Sequence, residues 1–175
     1  MDLPVFKYHP NPLITGSIIE SNAVCQRCGQ SKGYIYTSSV YGVEELHNKI
    51  CPWCIADGSA ANKFDATFVD SYPLYQAGIA EEIILEVTTK TPGYDTWQQE
   101  VWLSHCNDAC AFLGDALKTD VLRIANEHFQ VFGGEGLDAE TMKGIAQGYQ
   151  PEGSPAFYKF ECLHCHEILY ATDFD

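Results

Sequence analysis

The sequence predicts an α+β protein, a single compact domain in which two zinc-knuckle or treble-clef-like modules surround a helical core. Three observations carry this. Eight cysteines fall into four closely spaced pairs. β-favouring runs lie beside two of those pairs, Tyr34-Ile35-Tyr36-Thr37 after the first and Phe157-Tyr158-Lys159-Phe160 and Ile168-Leu169-Tyr170 on either side of the last. The stretches between show the three-to-four-residue apolar spacing of helices. With 175 residues, 46% of them hydrophobic, the chain is long enough to bury a real core.

In chain order, the first 20 residues read as extended, because Pro4, Pro10 and Pro12 block a helix. A cysteine-rich segment over 24–64 follows, its small residues after Cys54 permitting a short helix that starts at the second cysteine pair. A middle helix is predicted over 75–89, with Ile79, Ile83 and Val87 on one face, Ile84 beside them, and Thr91-Pro92-Gly93 as the stop. Val101-Trp102-Leu103 reads as a short strand leading into His105-Cys106 and on to Cys110. A helix over 115–129 would align Leu117, Val121, Ile124 and His128. Gly133-Gly134-Glu135-Gly136 reads as a loop. Asp138 can cap a third helix, with Leu137 and Met142 placed as a hydrophobic staple and Gly148 as its end. The terminal segment reads as a hairpin around Cys162 and Cys165. A soft boundary near residue 70 separates an N-terminal zinc-finger-like region, 1–70, from a helical region with a C-terminal knuckle, 71–175, within one shared fold.

The cysteine spacing points to metal. Cys25 and Cys28, then 22 intervening residues, then Cys51 and Cys54, form two Cys-x2-Cys turns that complete a tetrahedral sulfur shell. Cys106 and Cys110 with Cys162 and Cys165 are the expected second set. Its first pair is spaced by three residues, so His105, His164 or His166 could replace a thiolate there. Zinc suits such shells, and two ions are expected. Cys51-Pro52-Trp53-Cys54 also resembles the redox motif of glutaredoxins, which leaves open a thiol-disulfide oxidoreductase using Cys51 and Cys54.

Ten Lys and Arg against 24 Asp and Glu set the formal charge at −14, which opposes binding to nucleic acid and favours a basic protein partner. No secretory leader and no membrane-length apolar run is visible, so the chain reads as cytoplasmic, where paired cysteines bind metal rather than form disulfides. Serine-hydrolase, zinc-protease and phosphate-loop motifs are missing, and no catalytic residue is nominated. His128 reads as a core histidine. A zinc-ribbon adaptor in a stress or transcription complex is a third reading.

The opening Leu3-Pro4-Val5-Phe6-Lys7-Tyr8-His9-Pro10, the Cys25 knuckle, Cys51-Pro52-Trp53-Cys54-Ile55-Ala56-Asp57-Gly58, the Trp102-Leu103-Ser104-His105-Cys106 segment with Cys110-Ala111-Phe112-Leu113-Gly114, and Cys162-Leu163-His164-Cys165 resemble the bacterial CbrC family over nearly the whole chain. That resemblance implies a colicin-tolerance or toxin-protective role, expected to work by immunity-like, non-enzymatic binding of a basic nuclease toxin. Glu44-Glu45, Glu81-Glu82 and the group Glu135, Asp138 and Glu140 are the acidic patches that could face it.

Overall fold

The computed structural model describes residues 2–127, 131 and 137–174. Near the N-terminus β1 (Ile18–Glu20) pairs antiparallel with β2 (Tyr34–Tyr36), and the loop between them carries Cys25 and Cys28. Gly29, in the left-handed region at φ 69°, turns that loop so that its N–H reaches the Cys25 carbonyl at 2.7 Å. Tyr36 donates its N–H to Ile50, which brings the second cysteine pair alongside β2. Helix α1 (Pro52–Ala56) starts directly after Cys51, and Pro52 sits where a helix has a spare donor to lose. Left-handed Gly58 then separates it from α2 (Ser59–Phe64), so the short helix expected here is two.

The helix expected over 75–89 is also divided. Helix α3 (Tyr72–Gln76) ends where the Gly78 N–H reaches Tyr75 O and the Ile79 N–H reaches Leu74 O, a Schellman closure with Gly78 at φ 70°. Helix α4 (Glu81–Lys90) follows, with Ile84 and Val87 buried and Glu81 and Glu82 in the first turn, where the helix dipole favours them.

Val101, Trp102 and Leu103 do not pair as a strand. Pairing begins one residue later, in the hairpin of β3 (Ser104–His105) and β4 (Asp108–Ala109), whose turn residues Cys106 and Asn107 are both left-handed at φ 52° and 58°. Trp102 is instead buried, its indole N–H on the Cys110 carbonyl at 2.9 Å. A three-stranded antiparallel sheet follows, in the order β5 (Ala111–Asp115), β6 (Ala156–Glu161), β7 (Ile168–Asp173), with Phe112 opposite Phe160 and Phe160 opposite Leu169. The hairpin expected at the C-terminus is β6 and β7.

The sheet claims Ala111–Asp115, so the helix expected from residue 115 starts later, as α5 (Lys118–Glu127). His128, Phe129, Glu135 and the glycine loop at 133–136 lie outside the described residues. Helix α6 (Ala139–Gly148) begins as the sequence indicates, with Asp138 Oδ1 accepting from the Thr141 N–H at 2.7 Å.

Alternation along β6 divides the interior. Ala156, Tyr158 and Phe160 enter a core with Trp102, Phe112 and Tyr94, in which Tyr94 and Phe112 stack at 4.0 Å. Phe157 faces the other way, against Val121 and Ile124 of α5 and Ala146 of α6. A further core joins Phe6, Ile18, Ile50, Ile55 and Phe68 to Cys25, Cys51 and Cys54. Among the described residues no helix is long and apolar enough to cross a membrane.

Candidate metal centres

Loop, strand end and helix start converge on the first centre. The sulfurs of Cys25, Cys28, Cys51 and Cys54 all lie within 4.8 Å of one another, and those of Cys28 and Cys51 are 3.9 Å apart. Zinc–sulfur bonds of about 2.3 Å in a tetrahedron give sulfur–sulfur edges of about 3.8 Å, so the spacing fits zinc. The Cys51 N–H points at Cys25 Sγ from 3.3 Å. Arg27 Nε donates to Ser59 O at 3.0 Å, fixing the knuckle against α2. Three of the four cysteines are buried and Cys28 is half-buried. A hydrogen bond from the Cys51 thiol, with further backbone donors, lowers Cys25 to about 4, while the same sharing and burial push Cys51 up. A divalent cation would displace the shared protons and remove the repulsion between neighbouring thiolates.

The second centre forms where the β3–β4 turn meets the turn between β6 and β7. His105, Cys106, Cys162 and Cys165 bring their ligand atoms within 4.8 Å of one another. Cys106 Sγ is 3.8 Å from Cys165 Sγ, and His105 Nδ1 is 3.4 Å and 3.3 Å from those two sulfurs. The same tetrahedral bond lengths require nitrogen–sulfur edges of about 3.5 Å. Burial opposes ionisation of Cys162, but the N–H groups of Cys165 and His164 outweigh it and bring the thiol down to about 6. Cys106 and Cys165 are exposed, so this centre lies at the surface.

Three of the four cysteines expected in the second set, Cys106, Cys162 and Cys165, are brought together, and Cys110 is not in the group whose ligand atoms lie within 4.8 Å of one another. The Cys110 N–H bonds the Leu103 carbonyl at 2.9 Å, its own carbonyl takes the Trp102 indole, and burial of its thiol, with the nearby Cys162, Asp108, Cys165 and Cys106 charges adding to it, raises it to about 12. His105 takes the fourth position. The sequence signals were the irregular Cys106-x3-Cys110 spacing and the adjacent His105-Cys106. The two other histidines weighed for this site turn elsewhere. His164 Nε2 lies 3.0 Å from Asp108 Oδ2, and His166 Nδ1 lies 2.7 Å from Glu161 Oε1. Asp108 also accepts from Tyr8 Oη at 2.7 Å and Lys7 Nζ at 3.3 Å, tying this knuckle to the N-terminal segment.

Fold and site together define an α+β protein with two clusters of metal-ligating side chains, one set into an apolar core and one at the surface. The chain belongs to the Uncharacterised protein family (UPF0167), which it matches over residues 3–174. It is 49% identical over 174 residues to the UPF0167 protein PA1536 of Pseudomonas aeruginosa, covering 98% of this chain and 97% of that one. It is 41% identical over 175 residues to the UPF0167 protein Mb2317 of Mycobacterium bovis, covering 98% and 94%. No solved structure matches the chain. These matches correct the CbrC assignment. The family and both relatives carry the UPF0167 name and none carries a colicin-tolerance designation, so the toxin-protective role implied by that resemblance falls with it.

Proposed function

We propose that the chain is a non-catalytic binding protein, its fold pinned by two structural zinc ions and its acidic surface serving a basic protein partner. The observation that carries this is the completeness of both ligand sets. Each brings four side-chain donors within 4.8 Å of one another, enough to fill a tetrahedral shell and leave no open coordination position for a substrate or activated water. A glutaredoxin-like role for Cys51 and Cys54 draws no support, because such chemistry needs an accessible, acidified thiol. Cys51 is 1% exposed, crowded by three other sulfurs and pushed up. The charge of −14 supports the basic partner, through encounter rates that fall as salt rises.

Metal analysis of protein purified without chelator is expected to find two zinc ions per chain with eight reduced thiols. One ion or none, in a chain that keeps its thermal stability, would overturn the structural-zinc reading. The partner reading is tested by salt-dependent capture of an immobilised lysine-rich protein. Capture that ignores salt, or that fails at low salt, would count against it.

A further inference from the structure

A hollow of about 630 Å³ opens between the N-terminal loop, the segment leading out of Tyr94, the bulged strand β5 and the turn before β6. Its walls include Ile14, Trp97, Phe112 and Tyr158, and its acidic groups include Asp115 and Glu152. Among the described residues no lysine, arginine or histidine lines it. Trp97 is 58% exposed, yet it is held in place. The Asp173 carboxylate accepts the Trp97 N–H at 2.6 Å and the Gln98 N–H at 3.2 Å, fixing the backbone beneath the indole. Ile14, at 83% exposed, offers a second apolar surface.

The carboxylate end is equally built. The register of β5 against β6 shifts between Phe112 and Gly114, and Gly114 is left-handed at φ 97°. A side chain at that position would also crowd Thr15, 3.1 Å from its Cβ. Asp115, directly after this irregularity, accepts the N–H of Glu152, itself held in the left-handed region at φ 64°. Among the described residues no cationic side chain pairs with Asp115, which burial and the Glu152 charge hold above the usual carboxylate range. An exposed, anchored aromatic beside uncompensated carboxylates complements one chemistry, a positive charge at the end of an aliphatic stem.

We propose that this hollow binds an alkylammonium group, its stem along Trp97 and Ile14 and its charge at Asp115 and Glu152. A partner's lysine side chain and a free aliphatic amine both present that chemistry. The assignment deepens the basic-partner reading and rests on it only for the source of the cation.

The test is tryptophan fluorescence of the zinc-loaded full chain, titrated with N-acetyl-lysine methylamide, with pentane-1,5-diamine and with the neutral N-acetyl-norleucine methylamide. A saturable response to the cations is expected, lost in Trp97→Phe and weakened about tenfold or more in Asp115→Asn, with the neutral analogue giving none. Should Asp115→Asn fail to fold by circular dichroism, Glu152→Gln at the exposed rim provides the same comparison. Tighter binding of the lysine amide assigns the site to a partner's side chain, and tighter binding of the diamine assigns it to a free amine. Equal response to the neutral analogue, or an undiminished response in both carboxylate variants, overturns the proposal. Salt-dependent capture of a lysine-rich protein alongside no fluorescence response would overturn this hollow as the site while leaving the basic-partner reading standing.

Discussion

Cys106 Sγ lies 3.8 Å from Cys165 Sγ although 59 positions separate them in the chain, and His105 Nδ1 lies 3.3 Å from the same Cys165 sulfur. This contact joins the β3–β4 turn to the C-terminal hairpin, so losing its metal should loosen both. Cys165→Ser and His105→Ala are each expected to lower zinc content from two ions to one, while His105→Cys restores the second. Cys110→Ala is expected to keep both ions and lose roughly 1 kcal/mol of stability from its core position. Metal analysis with thermal melts separates these outcomes. A Cys110→Ala protein holding one ion would reinstate Cys110 as a ligand.

The two centres differ in accessibility, and metal removal should show it. Cys106 and Cys165 are exposed, whereas Cys25, Cys51 and Cys54 are buried beside Ile18, Ile50 and Phe68. A chelator is therefore expected to strip zinc in two phases, the fast phase from the His105 centre. Cys165→Ser should abolish the fast phase and leave the slow one. The slow phase should coincide with loss of the tertiary circular dichroism signal, since metal at that centre is coupled to the core around it. A single phase of release from the wild-type chain would contradict this difference.

The first centre was legible in the sequence because its geometry is local. Two Cys-x2-Cys turns, Gly29 after one and Pro52 within the other, determine sulfur positions over a few residues each. The α6 start was legible for the same reason, through the Asp138 cap. The fourth ligand of the second centre was not fixed by spacing. It depends on a left-handed Cys106-Asn107 turn and on the Trp102 indole holding the Cys110 backbone, and neither is a periodicity. Apolar spacing continues through Ile79 and so predicts one middle helix where the chain forms α3 and α4. Gly78 ends α3 by backbone bonds that hydrophobic patterning does not register. The helix expected over 115–129 starts later because Asp115 ends β5, whose strand character comes from pairing with β6, far along the chain.

His9 predicts a loss of stability in acid. The ring is fully buried, with Nδ1 2.8 Å from the Pro92 carbonyl and Nε2 2.7 Å from Thr15 Oγ1. Nδ1–H donates to the carbonyl, and Nε2 accepts from the hydroxyl. Burial lowers its pKa from 6.5 to about 4. The unfolded chain therefore takes up a proton near pH 6.5 that the folded chain refuses until about pH 4. Stability from this group is whole above the upper value and is lost as pH falls through the window, by on the order of 3 kcal/mol. His9→Gln should be less stable at neutral pH and lack this acid-side dependence. Denaturant melts of both proteins across the window check it, and parallel curves would contradict it.

Glu100 predicts the opposite slope. It is 1% exposed, its Oε1 has no hydrogen-bond partner among the described residues, and its Oε2 lies 3.5 Å from Tyr41 Oη. Burial, with the nearby Asp70 charge adding to it, raises this carboxyl well above its ordinary 4.5. Folding therefore takes up a proton once the unfolded side chain ionises. Stability falls as pH rises from 4.5 toward the raised folded value, with a slope approaching about 1.4 kcal/mol per pH unit. Between pH 4.5 and 6.5 this decline opposes the gain from His9, so the wild-type curve should be flatter there than either group alone would make it. Glu100→Gln keeps the shape and removes the titration. Its stability relative to wild type should be close to parity near pH 4 and rise as pH climbs from there toward the raised folded value. A constant difference between the two proteins over that range would mean that Glu100 is ionised in the fold, with a counter-charge beside it.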